Sequence, residues 1–317
     1  MSAPPPELSV VVPVYDEEEN VAPLVRELGA VLDDLARPAE IVAVDDGSAD
    51  ASFARLAALR AEEPRLRVVR LARNYGQTAA LAAGVGEARG RIVVTLDADL
   101  QNDPRDIPRL LACLADGADV VQGWREQRRD AWLTRRLPSE IANRIISLVT
   151  GTRLHDYGCT LRAMRAEVAK ELELYGELHR FIPALAADAG ARVVELAVRH
   201  RPRTAGRSKY GLSRTLRVLL DLLTVKFLSG YSTRPIQLFG LFGLACASVG
   251  LALTAMLGFE KVVLGEKIGG RPLLLLGILL AVLGVQFVSI GLLGELVVRT
   301  YHESQRKPVY RVREIVG

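Results

Sequence analysis

Two carboxylates one residue apart, Asp97 and Asp99 around Ala98, are the residues in this chain best suited to chemistry. They follow Arg91-Ile92-Val93-Val94-Thr95-Leu96, a short apolar, β-branched run that predicts a buried strand. Ligands of open α/β sheets bind outside the carboxyl ends of the strands. Carboxylates paired there make an oxygen-rich site for a hard divalent cation, which commonly also binds the phosphates of a substrate. Taken alone, an Asp-x-Asp is more often a solvated turn that caps the next helix. Here it has company at other predicted strand ends: Pro13-Val14-Tyr15-Asp16-Glu17, Asp45-Asp46-Gly47-Ser48, and Arg70 with Arg73-Asn74-Tyr75-Gly76-Gln77. Turn chemistry accounts for any one of these. It does not account for acidic, amide and aromatic groups at successive strand ends.

The elements that must position these residues are legible in the hydrophobic pattern. Leu8–Pro13, Glu40–Val44, Arg67–Leu71 and Arg91–Leu96 read as buried strands. Helices are expected between them: one with Val21, Leu24, Val25, Leu28, Val31, Leu32 and Leu35 at helical spacing, one through Phe53, Leu56 and Leu59 with Asp50 as its N-cap, and one through Ala79–Val85. Ala118–Gly123 and Val193–Val198 read as later strands. Strands alternating with helices predict an α/β domain with a mostly parallel sheet and helices on both faces.

Composition sets limits on function. The net charge of +4 is small, aromatic residues make up 5%, and no aromatic–basic interleaving occurs, so nucleic acid is not an expected partner. Cys113, Cys159 and Cys246 show neither metal-ligand nor disulfide spacing, which fits a reducing compartment. Residues Met1–Glu7 are Pro-rich and lack the basic and apolar regions of a signal peptide, so the N-terminal domain is expected to stay in the cytoplasm.

The apolar excess lies after Ile236. Ile236–Phe259 has no charged residue; at the helical rise its length is roughly 36 Å, enough to cross a bilayer core. Leu273–Gly294 is a second uncharged run. Lys226, Arg234, Arg299, Arg306, Lys307, Arg311 and Arg313 flank the outer ends, against Lys261, Lys267 and Arg271 in the intervening loop. That bias predicts both termini in the cytoplasm and the short loop outside. Between Leu212 and Leu228, Leu216, Leu219, Leu220, Leu223 and Phe227 share a helical face, which predicts an interfacial helix. The expected organisation is a catalytic domain over 1–211, a juxtamembrane region over 212–235, a transmembrane hairpin over 236–298 and a cytoplasmic tail over 299–317.

Together the motifs P-V-Y-D-E, D-D-G-S, R-N-Y-G-Q and D-A-D-L-Q resemble the inverting family 2 glycosyltransferases of the GT-A fold. Asp156-Tyr157-Gly158-Cys159, Gly176–Pro183 and Arg203-x-x-Gly206-x-Ser208-Lys209-Tyr210, with the two apolar runs, are similar to the polyprenyl-phosphate branch, the dolichyl-phosphate mannosyltransferase and bacterial glucosyltransferase type. The chain has Asp16 where that family commonly has Asn.

The resemblance implies roles. Pro13, Tyr15, Glu17, Asp45, Asp46, Asn74, Gly76, Asp97 and Ala98 would hold the nucleotide sugar. Asp97, Asp99 and Gln101 would organise Mg²⁺ or Mn²⁺ on the donor diphosphate, with Asp99 and Asp156 as the catalytic carboxylates. Arg125, Arg128, Arg203, Ser208 and Lys209 would meet donor or lipid phosphate, Arg as a bidentate donor and Lys as a point charge. The implied reaction is inverting transfer of a hexose, glucose from UDP-glucose first, to polyprenyl phosphate at the cytoplasmic face of the inner membrane, by a homo-oligomer for which the resemblance suggests a tetramer. Mannose or an amino sugar on the same lipid is the alternative, and a non-catalytic membrane-anchored nucleotide-sugar-binding subunit is the competing class. A lipid monophosphate is largely a dianion at neutral pH, so positioning and charge neutralisation are expected to matter more than proton abstraction.

Overall fold

The computed structural model describes residues 5–126, 146–147, 151–172, 174, 178–202, 235–265, 270–304 and 310–317. The chain forms two compact units, one of Met1–Val225 with Pro308–Gly317, the other of Lys226–Lys307.

In the first unit, β1 (Leu8–Val14), β2 (Ala39–Asp45), β3 (Leu66–Leu71) and β4 (Ile92–Thr95) pair in parallel in the order β4-β1-β2-β3. α1 (Val21–Leu35), α2 (Ser52–Leu59), α3 (Gln77–Glu87) and α4 (Ile107–Ala115) connect and cover them. Successive strand side chains point to opposite faces. Val10, Val12, Ile41 and Ala43 pack with Leu24 and Leu28 of α1, Leu56 of α2 and Leu110 of α4. Val11, Val42, Val44 and Val93 pack instead with Ala80 and Ala83 of α3. Strands buried on both faces read as continuous apolar runs, which is why the sequence exposes them so clearly. Asp50 does cap the approach to α2, one residue early: its carboxylate accepts the Ser52 N–H at 2.9 Å while Ala51 occupies the N-cap.

The sheet continues beyond this parallel core with β5 (Val120–Trp124), β6 (Arg162–Arg165), α5 (Ala166–Glu171), α6 (Ile182–Asp188), β7 (Val193–Ala197) and β8 (Val312–Val316). Its full order is β7-β5-β6-β4-β1-β2-β3-β8. β6 runs antiparallel between β4 and β5, with Arg162 opposite both Thr95 and Gln122. This strand escapes a sequence reading because Arg162-Ala163-Met164-Arg165 has neither β-branched residues nor a polar alternation. β8 is antiparallel to β3. The end of the presumed tail is therefore an edge strand, with charged Arg313 and Glu314 of the kind edges tolerate.

The second unit is a pair of long helices, α7 (Pro235–Val263) and α8 (Pro272–Ser304). Phe239–Val263 and Pro272–Gly294 are each long and apolar enough to cross a membrane, with mean hydropathy 1.9 and 2.6. Small residues bring the two backbones together: a Cβ added at Gly250 would lie 2.6 Å from Gly277 O, and one at Gly284 would lie 2.6 Å from Gly243 O. An Arg271–Glu260 ion pair at 2.6 Å ties the two helices where the short connection joins them. Leu241, Phe242, Leu275, Leu279 and Val282 are exposed, an apolar exterior suited to hydrocarbon. The expected interfacial helix over 212–228 lies outside the described residues.

Candidate active site

The carboxyl ends of β1, β2 and β4 lie at one edge of the sheet, because the strands are parallel and in register. The segments leaving that edge enclose a cleft of about 250 Å³ lined by Pro13, Tyr15, Glu17, Asp46, Asn74, Gly76, Gln77, Asp97, Ala98 and Asp99. A second cavity of about 10 Å³ is a packing defect in the apolar core.

The cleft walls are fastened by their own polar groups. Asp16 adopts a left-handed φ of 48°, which Asp and Asn tolerate better than other non-glycine residues. Its N–H donates to Ser48 Oγ at 3.0 Å, and its Oδ1 accepts the Ala49 N–H at 2.8 Å. The Glu17 N–H donates to Ser52 Oγ at 2.9 Å. Asp46 lines the cleft and also holds its far wall: Oδ1 accepts the Tyr75 N–H at 2.8 Å and Oδ2 the Gly76 N–H at 2.9 Å. Gly47, at φ 68°, lets that wall approach, since a Cβ would lie 2.6 Å from Asn74 N.

Asp97 Oδ1 accepts a hydrogen bond from Gln77 Nε2 at 2.7 Å. Burial and the charge of Asp99 push the Asp97 carboxyl up to about 7, against the opposing pull of the Thr160 hydrogen bond and the Arg125 and Arg162 guanidiniums. Asp99 Oδ1 accepts the Gln101 N–H at 3.2 Å across Leu100, which takes φ 60°. Two repelling carboxylates in a half-enclosed cleft gain from a cation between them. Mg²⁺ characteristically takes one or two carboxylates and completes its shell with water and substrate phosphate. Asp97 and Asp99 fit that pattern, and no group of three or more His, Cys, Asp or Glu side chains suited to a metal occurs among the described residues. Gln101 stands outside the cleft lining; its carbonyl accepts the Arg201 N–H at 2.8 Å.

Other expected residues are placed differently. Asp45 is fully buried and does not line the cleft. Its Oδ1 accepts the Ser48 N–H at 3.3 Å, its Oδ2 has no hydrogen-bond partner among the described residues, and burial raises its carboxyl above the usual range. Asp156 and Arg125 were expected to act on base and phosphate separately, but the structure pairs them. Arg125 Nε and Nη2 donate to Asp156 Oδ2 and Oδ1 at 2.7 and 2.9 Å, and the Gly158 N–H adds a bond at 3.0 Å. Burial disfavours the Arg125 charge, yet Asp156 more than compensates and holds it firmly protonated. A carboxylate so occupied is a clamp for the guanidinium more readily than a free base. Glu195 supports the clamp by accepting the His155 and Asp156 N–H groups at 2.8 and 3.1 Å, while the Trp124 and His155 rings stack at 4.5 Å. Arg128, Arg203, Ser208 and Lys209 lie outside the described residues.

Two participants went without a role in the sequence reading. Gln77, within the R-N-Y-G-Q motif, donates a hydrogen bond to Asp97. Arg162 is a fully buried guanidinium that donates to His179 O and Cys159 O at 3.0 and 2.8 Å and acts electrostatically on Asp97. Gln77 had a motif to flag it; nothing in the sequence marks a buried arginine on an unpredicted strand.

Residues 9–173 match the Glycosyl transferase family 2 model. The chain is 45% identical over 313 residues to dodecaprenyl-phosphate galacturonate synthase of Rhizobium johnstonii, covering 98% of this chain and 93% of the relative. It is 39% identical to undecaprenyl-phosphate 4-deoxy-4-formamido-L-arabinose transferase of Edwardsiella ictaluri, covering 98% and 94%. In fold it is similar to glucosyl-3-phosphoglycerate synthase from Mycobacterium tuberculosis, solved with Mn²⁺ and UDP-glucose: TM-score 0.53, 21% identity, 70% of this chain and 79% of that one. The acidic cleft thus sits in a GT-A domain within a chain related along nearly its whole length to polyprenyl-phosphate glycosyltransferases, and the chain belongs to glycosyl transferase family 2.

Proposed function

We propose that this enzyme transfers a sugar from a nucleotide donor to polyprenyl phosphate, and that the sugar is an acidic or amino-derived one rather than glucose. The single observation that carries the reaction class is the cleft in which Asp97, positioned by Gln77, faces the same space as Asp99, Tyr15 and Glu17. The full-length kinship with a galacturonate synthase and with formamido-arabinose transferases supports the choice of sugar.

In this reading Tyr15 and Glu17 face the donor nucleoside and Asp46 keeps the Tyr75–Gly76 wall in place. Asp97 and Asp99 would hold Mg²⁺ or Mn²⁺, which when bound neutralises charge on the departing nucleoside diphosphate. Asp156 fixes Arg125 so that its charge stays near the carboxylates. The acceptor dianion needs no base, so alignment for inverting attack supplies most of the acceleration. The catalytic unit works at the cytoplasmic face of the inner membrane. The chain leaves the first unit for the helical hairpin and returns to it as β8, so both ends of the hairpin lead to the same domain, and the Lys and Arg excess flanking those ends supports the cytoplasmic assignment. Self-association belongs to the same reading, with cross-linking in native membranes as its test.

The deciding assay gives the detergent-solubilised full chain undecaprenyl phosphate and a panel of UDP-galacturonic acid, UDP-4-deoxy-4-formamido-L-arabinose, UDP-glucose and GDP-mannose. Extracted lipid should carry label from one of the first two. Label only from UDP-glucose would refute the sugar assignment, and none from any donor would refute the transferase reading.

A further inference from the structure

We propose that Arg70 is a positioning residue of the donor site and that the last strand of the chain, through Glu314, holds it in place. The inference rests on the reading of the cleft as a donor site, and it concerns residues outside the cleft lining.

Arg70 lies at the carboxyl end of β3, where three contacts fix its guanidinium. Nη1 donates to Glu314 Oε1 at 3.1 Å, the guanidinium carbon sits 4.1 Å above the Phe53 ring, and Nε is 3.7 Å from Asp45 Oδ2. That Asp45 oxygen is one of the buried side-chain atoms that have no hydrogen-bond partner among the described residues. Arg70 is thus the cation beside the carboxylate at the end of β2, and among the described residues its one hydrogen-bonded anion comes from a strand 244 residues away in sequence. β8 also grips the backbone. Arg70 pairs with Glu314, the register shifts just after it, and the Ala72 N–H donates to Arg311 O at 2.9 Å. The segment that follows supplies Asn74, Gly76 and Gln77 to the cleft. It is therefore held from two sides, by Asp46 within the cleft and by β8 from behind. Without β8, the outer edge of β3 would be unpaired and Arg70 would lose Glu314.

The test uses the full-length protein in detergent, with UDP and Mn²⁺ as the probe. Arg70→Ala and Glu314→Ala should each weaken UDP binding at least fivefold in calorimetry. The double variant should be no worse than Arg70→Ala, because Glu314 acts through Arg70. In turnover, donor KM should rise while kcat at saturating donor and acceptor KM stay near wild type, a split that general loosening of the fold would not produce. Glu314→Gln, which keeps the shape of the side chain, should show a smaller effect of the same kind. It provides the measurement if Glu314→Ala fails to fold. Unchanged UDP affinity, or additive losses in the double variant, would overturn the proposal. If the wild type itself does not bind UDP, the donor-site reading fails, and hydrogen exchange judges the positioning separately. Faster exchange across Ala72–Gly76 in Glu314→Gln supports the grip of β8; unchanged exchange refutes it.

Discussion

At the residue scale, Asp97 dominates the electrostatics. With its carboxyl raised to about 7, a proton and a cation compete for the same oxygens near neutral pH. Mn²⁺ binding at pH 6.5 should release protons and weaken as pH falls further, because Asp97 must give up its proton before it can ligate the cation. Calorimetry in buffers of different ionisation enthalpy measures this directly; binding without proton release would show that Asp97 is already ionised. Asp99→Asn should abolish transfer and reduce Mn²⁺ binding while leaving the melting temperature near wild type, as expected of a half-exposed carboxylate. The Asp156–Arg125 pair makes a different prediction. Its side chains are 4% and 14% exposed, so removal of one partner strands a buried charge at a cost of about 3–5 kcal/mol. Asp156→Ala should therefore lower the melting temperature sharply, and Asp156→Ala with Arg125→Met should recover part of that loss. A stable but inactive Asp156→Ala would instead favour a direct catalytic role.

At the scale of elements, the segment after β7 is bolted to the segment after β4. Arg199 donates to Asp106 at 3.0 Å, and Arg201 reaches Asp103 at 2.9 Å and Glu27 at 2.9 Å. Although burial disfavours the Asp103 charge, Arg105 and Arg201 hold its carboxyl well below the usual carboxylate range. A depressed folded-state value adds stability that is present above the ordinary value of about 4 and lost as pH falls below it. Asp103→Asn should lower the melting temperature at pH 7 and flatten its decline as pH falls from about 4 toward 2; a curve parallel to wild type would deny the bolt its role. The hairpin has its own weak point. Gly250→Leu would force α7 from α8, because the backbone of Gly277 occupies the space of the new side chain. Cysteine pairs placed across the two helices should cross-link less efficiently in that variant.

At the scale of the molecule, the return of the chain to its starting sheet requires an even number of crossings. A thiol probe at Gly269 should react from outside intact cells and one at Ser304 should not. Labelling of both would contradict the two-span reading, and labelling of Ser304 alone would overturn the cytoplasmic placement of the two ends. The sequence by itself determined the parallel core, since strands buried on both faces are long β-branched runs that local pattern reveals. It also determined the gathering of the cleft residues, because βα units in parallel must send their carboxyl ends to one edge. Two uncharged runs of bilayer length were equally plain. Tertiary structure alone decided the rest. Arg125 and Asp156 are 31 residues apart, and Arg70 and Glu314 are 244 apart. No periodicity encodes such pairings. They arise when β6 turns back between β4 and β5, which buries Arg125 against Asp156 where a lone charge would be costly, and when β8 closes the far edge and sets Glu314 beside Arg70 in a partly exposed ion pair.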